Sequence, residues 1–283
     1  MKPETLFCSP ENSEYGFEDN TCFSYDDLKL ITKEYNRHTH TKISISGTKK
    51  QLLARLRKAF EPKCGDKHYC WLDQPILSNS IKNQLQHTFR PPKPANWYSN
   101  RQMWLNTYDI LNVLTQYEKL YKEFLFLGVF PMDFETTNSS GTCNGICNFS
   151  IHDMTKKNKT KFGMVLNTDM SNQPGSHWVS IACNIDPNRP NYGIYFYDST
   201  GNKPQKQAWK FMERIKSEIA SKKFEIKFNR VVAQHKNNEC GQFSNVLITQ
   251  FVKDIPFEKI CKGMKTDDDM NKLRNVLYRP SKY

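Results

Sequence analysis

The sequence contains no stretch approaching the roughly 20 apolar residues that a membrane span requires. Its opening residues, MKPETLFCSPENSEYG, have no apolar core of a signal peptide. A soluble, cytosolic protein is therefore expected. The chain also lacks internal repeats and any single block of charge: 41 Lys and Arg against 29 Asp and Glu, a net charge of +12, are scattered along its length. That excludes a basic tail and leaves a generally basic surface, which suits acidic partners, nucleic acid among them. The nine cysteines (8, 22, 64, 70, 143, 147, 183, 240, 261) are odd in number and irregularly spaced. Such spacing is unlike a small disulfide scaffold, and reduced thiols in a reducing compartment are the expectation. Sequons at Asn138, Asn148 and Asn158 matter only in a secreted protein and read as chance in an Asn-rich chain.

What is present is enough for a folded core. Hydrophobic residues make up 37% and aromatic residues 13% of 283 residues, which argues against a disordered chain and allows one large domain or two small ones. Leu28, Ile31 and Tyr35 share helical spacing, as do Leu52, Leu53, Leu56 and Phe60 on a second helix rich in Lys and Arg. TFRPPKPANWYSN, residues 88–100, has three prolines within four positions and reads as a stiff connector. The expected organisation is a small helical domain, 1–90, for docking or regulation, and a core domain, 91–283.

Within the second part a helix from Trp104 to Tyr121 precedes FLFLGVFPMDF, a buried strand. GMVLNTD, HWVSIACNID and YGIYFYDS are three further short strands, followed by a helix through Trp209, Met212 and Ile219. EIKFNRVVAQ reads as another strand, Gly241 to Val252 as an apolar helix, and Thr266 with Asp269 as the start of the last one. CGDKHYCWL, with Cys64, His68 and Cys70, invites a zinc reading with Cys22 as fourth ligand, but the spacing matches no common finger. Cys143 and Cys147 lack a second pair downstream. No metal and no cofactor are expected.

One constellation carries chemistry. Thiolate catalysis needs a cysteine whose charged form is favoured, a base, a group to orient the base, and donors for the oxyanion. His177 opens a strand, Asp198 ends the next, and Cys240 stands where a loop hands over to a helix, whose N-terminal dipole and free N–H groups favour thiolate. By order and spacing alone these residues fit equally a surface histidine, a turn aspartate and a buried cysteine.

GSHWVSIACNID, YFYDSTGN and QHKNNECGQFSNVL resemble the His-Trp, Asp-Ser and Gln-x5-Cys-Gly motifs of the Ulp/SENP and adenovirus-protease superfamily of cysteine peptidases. The wider run GMVLNTDMSNQPGSHWVSI, with GNKP and WKFMERIK, is similar to the branch of proteases from African swine fever virus and other large DNA viruses. The resemblance covers roughly residues 104–278 and implies an α+β fold, a mixed central sheet flanked by helices in a papain-related core. It implies His177 as general base, Asp198 as its orienter, Cys240 as nucleophile and Gln234 as oxyanion donor, with Asn237 or Asn238 as alternative amides. Trp178 would cover a narrow channel for small residues, so that cleavage falls after Gly-Gly. The activity implied is that of an endopeptidase cutting Gly-Gly-X sites in viral structural polyproteins during virion maturation, in the host cytoplasm and the virion. Two alternatives stay open: a deconjugating protease for SUMO- or ubiquitin-like proteins, and an inactive protease-like protein that binds nucleic acid or capsid.

Overall fold

The computed structural model describes residues 6–13, 20–137 and 140–281, so that the sequon at Asn138 lies outside the described residues. The chain forms two compact units, one running to Ala95 and regaining the chain from Leu277, the other spanning Asn96–Val276.

The first unit is helical. Helix α1, Tyr25–His38, starts at Ser24, whose hydroxyl accepts from the Asp27 N–H while the Asp27 carboxylate accepts from the Ser24 N–H. Thr48 and Gln51 form the same reciprocal cap on α2, Lys49–Cys64. The apolar spacing expected for α2 is its buried stripe: Leu52, Leu53, Leu56 and Phe60 face inward. A 3-10 turn, His68–Asp73, and α3, Asn79–Leu85, follow. Trp71 lies at its centre, stacked between Phe23 (5.6 Å) and Phe60 (4.9 Å).

Two findings correct the sequence reading. The thiols expected to be reduced are largely bridged: Cys8–Cys22, Cys64–Cys70 and Cys143–Cys147 are disulfides, leaving Cys183, Cys240 and Cys261 free. The odd count hid three local pairs, at separations of 14, 6 and 4 residues, behind three unpaired thiols. The cysteines therefore no longer argue for a reducing compartment. The C-terminal stretch, assigned above to the core domain, belongs to the first unit. The Arg279 N–H donates to the Pro91 carbonyl (2.9 Å), the Lys93 N–H donates to the Arg279 carbonyl (2.8 Å), and the Arg279 guanidinium covers Tyr69.

The second unit is built on a five-stranded mixed sheet in sequence order. After α4, Thr107–Leu120, come β1, Phe124–Phe130, and α5, Ile151–Lys156. Strand β3, Trp178–Asn184, runs antiparallel to both β2, Lys161–Asn167, and β4, Gly193–Tyr197. Helix α6, Lys206–Ile219, leads to β5, Glu225–Phe228; α7, Cys240–Phe251, α8, Phe257–Lys262, and α9, Asp267–Leu277, follow. The outer pairs β1/β2 and β4/β5 are parallel.

The centre of the sheet is covered on both faces, which is why its strands read as nearly continuous apolar runs. Val179, Ile181, Cys183, Ile194 and Phe196 pack with Phe211, Met212 and Ile215 of α6. The alternate positions Ala182, Tyr195 and Tyr197 pack with Phe243, Leu247 and Phe251 of α7. The architecture is α+β, as expected. The strand read over 225–234 stops at Phe228, because the chain then crosses the end of β4: the Ala233 and Gln234 N–H groups both donate to the Ser199 carbonyl. That crossing delivers the chain to the start of α7. Helices α5 and α8 were not expected from the pattern, being only six residues each.

Candidate active site

His177 directly precedes β3 and Asp198 directly follows β4. Because β3 and β4 are adjacent and antiparallel, both residues fall at the same end of the sheet. The imidazole Nε2 lies 2.7 Å from Asp198 Oδ1, and that oxygen also accepts from the Thr200 N–H (2.8 Å) and hydroxyl (2.7 Å). Asn229 grips the aspartate's backbone from the other side. Its Oδ1 accepts from the Asp198 N–H, and its amide donates to the Asp198 carbonyl, each at 2.8 Å. Nothing in the periodicity around Asn229 announces that contact, since it joins residues 31 apart.

The third member stands at the first residue of α7, where backbone N–H groups lack helical partners. Cys240 is buried, and so is Gly241. A Cβ on Gly241 would lie 3.0 Å from Leu105 Cβ and 3.2 Å from Trp178 Cδ1. The glycine of the Cys-Gly pair therefore lets the helix start press against both walls. Since Nε2 is committed to Asp198, Nδ1 is the ring nitrogen left for Cys240.

The charges follow from these contacts. Burial by itself depresses the His177 imidazole, but its hydrogen bonds to Asp198 and Cys240 outweigh that and push it up to about 9. Burial raises the Asp198 carboxyl, and the hydrogen bonds from His177 and Thr200 bring it below its ordinary value. At neutral pH the site accordingly holds an imidazolium against a carboxylate, with Cys240 acting on the same ring. Such an arrangement is chemically able to move a proton and to offer a sulfur nucleophile.

The other expected residues divide. Trp178 is buried, and its indole N–H donates to the Leu105 carbonyl (2.8 Å), which fixes the ring. It borders a cleft of about 620 Å³ lined also by Trp104, Leu105, Phe130, Pro131 and Met170. Gln234 is buried and held at both ends of its amide: Oε1 accepts from the Ser199 hydroxyl and Nε2 donates to the Lys236 carbonyl, each at 2.6 Å. One N–H of that amide remains. Asn238 donates its amide to Glu239 (3.1 Å), and Asn237 is exposed. The zinc arrangement is overturned, because Cys22, Cys64 and Cys70 are all consumed by disulfides. Among the described residues no group of three or more His, Cys, Asp or Glu side chains is placed to hold a metal. Nor is any helix among them long and apolar enough to cross a membrane.

Residues 135–282 match the model of the Ulp1 protease family, C-terminal catalytic domain. The chain belongs to the Ulp1 protease family. This Ulp1-family chain is 29% identical over 300 residues to a protein of Acanthamoeba polyphaga mimivirus named as a thiol protease, with 98% of this chain and 95% of that one covered. It is 26% identical over 256 residues to a cysteine protease of African swine fever virus, covering 81% and 88%. The crystal structure of the African swine fever virus protease superposes with a TM-score of 0.65 at 23% identity, over 86% of this chain and 94% of that one. That likeness shows a common fold. Membership makes the chain a cysteine protease by family.

Proposed function

We propose that this protein is a viral cysteine endopeptidase in which Cys240 is the nucleophile, His177 the general base and acid, and Asp198 the orienting carboxylate. The observation that carries the reading is the 2.7 Å His177–Asp198 pair at one sheet end, with Cys240 at the first residue of α7 acting on the same imidazole. The Cys240 thiolate attacks the carbonyl carbon of the P1 residue. The oxyanion is held by the Cys240 N–H and the remaining N–H of Gln234, chosen over Asn237 and Asn238 because it is buried and pinned. His177 as imidazolium gives its proton to the leaving amine. It then takes a proton from water, whose oxygen attacks the thioester and releases the acid and the thiol.

Specificity for Gly-Gly-X is supported by Trp178, whose buried and hydrogen-bonded indole stands against Gly241, the residue after Cys240. The role in processing structural polyproteins during virion maturation, in the host cytoplasm and the particle, is supported by relatives in two viruses. Three disulfides suit a protein that spends time in a particle outside the reducing cytosol. A second reading, release of SUMO-like modifiers, has the name of another African swine fever virus relative in its favour, a SUMO-1 cysteine protease.

A peptide-library cleavage profile with wild type and Cys240→Ala tests the proposal. Cleavage after Gly-Gly that vanishes in the variant supports it. Retained cleavage in Cys240→Ala, or activity abolished by a chelator and restored by zinc, overturns it. Hydrolysis of a fluorogenic SUMO C-terminal substrate faster than of the peptides favours the second reading.

A further inference from the structure

The mechanism above uses nothing on α9, yet that helix reaches the residue next to the nucleophile. Glu239, immediately before Cys240, is fully buried. Its carboxylate accepts from Arg274 Nε (3.1 Å) and Nη2 (3.0 Å), from the Asn271 amide (2.7 Å) and from the Asn238 amide (3.1 Å). A carboxylate taken wholly out of water keeps its charge only when paired and hydrogen-bonded, and the guanidinium fork meets that need with two bonds.

The same two side chains, one turn apart on α9, also hold a second segment. Arg274 Nη1 donates to the Met103 carbonyl (2.7 Å) and Asn271 donates to the Arg101 carbonyl (2.6 Å), while Arg274 Nη2 donates to the Asn238 carbonyl (3.3 Å). The guanidinium lies 4.7 Å over the Trp97 ring, which holds it flat. Two residues beyond Met103 is Leu105, whose carbonyl pins the Trp178 indole. One guanidinium therefore ties the loop that ends in Cys240 to the segment that fixes the channel tryptophan.

We propose that Arg274, together with Asn271 and acting through Glu239, is a positioning residue for catalysis: it sets the spacing between Cys240 and Trp178, and with it the rate of acylation and the preference for glycine. The inference rests on the reading of Cys240 as nucleophile. Arg274 itself touches no reacting atom. Other charges around the pair are Asp109 of α4, which feels Arg274, and Asp267 of α9, which acts on Glu239, with His177 and Asp198 at the sheet end.

The test uses the full chain as wild type, Arg274→Met, Arg274→Lys, Asn271→Ala and the double variant Glu239→Gln with Arg274→Met. Two quantities are measured: kcat and KM on a Gly-Gly-X peptide and its Gly-Ala-X counterpart, and the pH midpoint of Cys240 alkylation by iodoacetamide, read by mass spectrometry. Arg274→Met is expected to lower kcat about 100-fold with KM within about threefold, because a misplaced nucleophile costs rate more than binding. It should also narrow the preference for Gly over Ala. Its alkylation midpoint moves to higher pH, since a Cys240 drawn away from His177 loses part of the imidazolium charge that favours thiolate. Arg274→Lys, having the charge without the fork, recovers neither kcat nor the midpoint in full. The double variant behaves as Arg274→Met, because an unpaired buried Glu239 is already neutralised by a proton.

Wild-type kcat and midpoint in Arg274→Met overturn the proposal, as does a lowered melting temperature with kcat per folded molecule unchanged. If Arg274→Met does not fold, Asn271→Ala decides: a fall in kcat of about tenfold supports the proposal, and an unchanged kcat overturns it. A wild type that neither cleaves nor alkylates at Cys240 brings down the protease reading instead.

Discussion

The two units use cysteine in opposite ways. In the N-terminal unit all four cysteines are bridged, Cys8 to Cys22 and Cys64 to Cys70, around an aromatic stack of Phe23, Trp71 and Phe60. In the second unit Cys143 and Cys147 are bridged and three thiols remain. Of these, Cys183 and Cys261 sit in apolar surroundings where burial pushes the thiol up, Cys261 to about 12. Both are locked as neutral SH. Cys240 alone has an imidazole beside it. Burial by itself therefore makes a thiol inert, and a buried thiol becomes a reagent only where the fold also brings a base.

The widest separation between the units should come from Cys240. Replacing it by Ala is expected to remove at least about a thousandfold of the peptidase activity while leaving the melting curve unchanged. Pairwise replacement of Cys8 and Cys22, or of Cys64 and Cys70, by Ser should do the reverse. Each bridge closes a short loop worth about 2–3 kcal/mol of stability in the chain-entropy account, so the N-terminal unit melts earlier while Cys240 alkylates at its former rate. Calorimetry and alkylation on the same samples check both. Equal effects of the two kinds of substitution on alkylation would erase the contrast.

The contrast was only half legible in the sequence. Strands β2 to β4 and helix α7 could be read because both sheet faces are covered and their apolar runs are long for their element type. His177, Asp198 and Cys240 each end or begin such a run, but order and spacing fitted a surface histidine, a turn aspartate and a buried cysteine equally, and the resemblance to the His-Trp, Asp-Ser and Cys-Gly motifs singled them out. Pairing of cysteines was invisible, since an odd count gives no clue to which thiols are left over. Asn229, Glu239 and Arg274 left no trace either. They meet partners 31 and 35 residues away through side-chain hydrogen bonds, and no periodicity encodes such a contact. The return of Arg279 to Pro91 was hidden for the same reason.

Within the second unit, Asp198→Asn measures how much of the imidazole's character is owed to the carboxylate. The amide keeps a hydrogen-bond acceptor for Nε2 but not the charge, so kcat/KM should fall, by less than in Cys240→Ala because the imidazole and the sulfur both remain. The direction of the pH effect follows from His177. Its pKa in the fold, about 9, lies above its ordinary value of 6.5. The imidazolium therefore contributes stability that is fully present below pH 6.5 and lost as pH rises through about 9. The alkaline limb of the activity profile should fall in the same range. In Asp198→Asn that limb moves toward neutrality, and a limb left in place would assign the raised pKa to Cys240 alone.

The smallest effect should come from Thr200→Val. Its hydroxyl gives Asp198 Oδ1 one of three hydrogen bonds, and the Thr200 N–H and His177 supply the other two. Losing one neutral donor to a charged acceptor costs about 1.5–3 kcal/mol at most where no water replaces it. Thr200 is only partly buried, so water can enter, and a threefold to tenfold fall in kcat/KM at about pH 8.5 is the expected size. The loss should shrink toward pH 6, where His177 is fully protonated with or without the Thr200 hydroxyl. A loss constant across that range would mean that Thr200 shapes the turn after β4 and leaves the charge on the imidazole untouched.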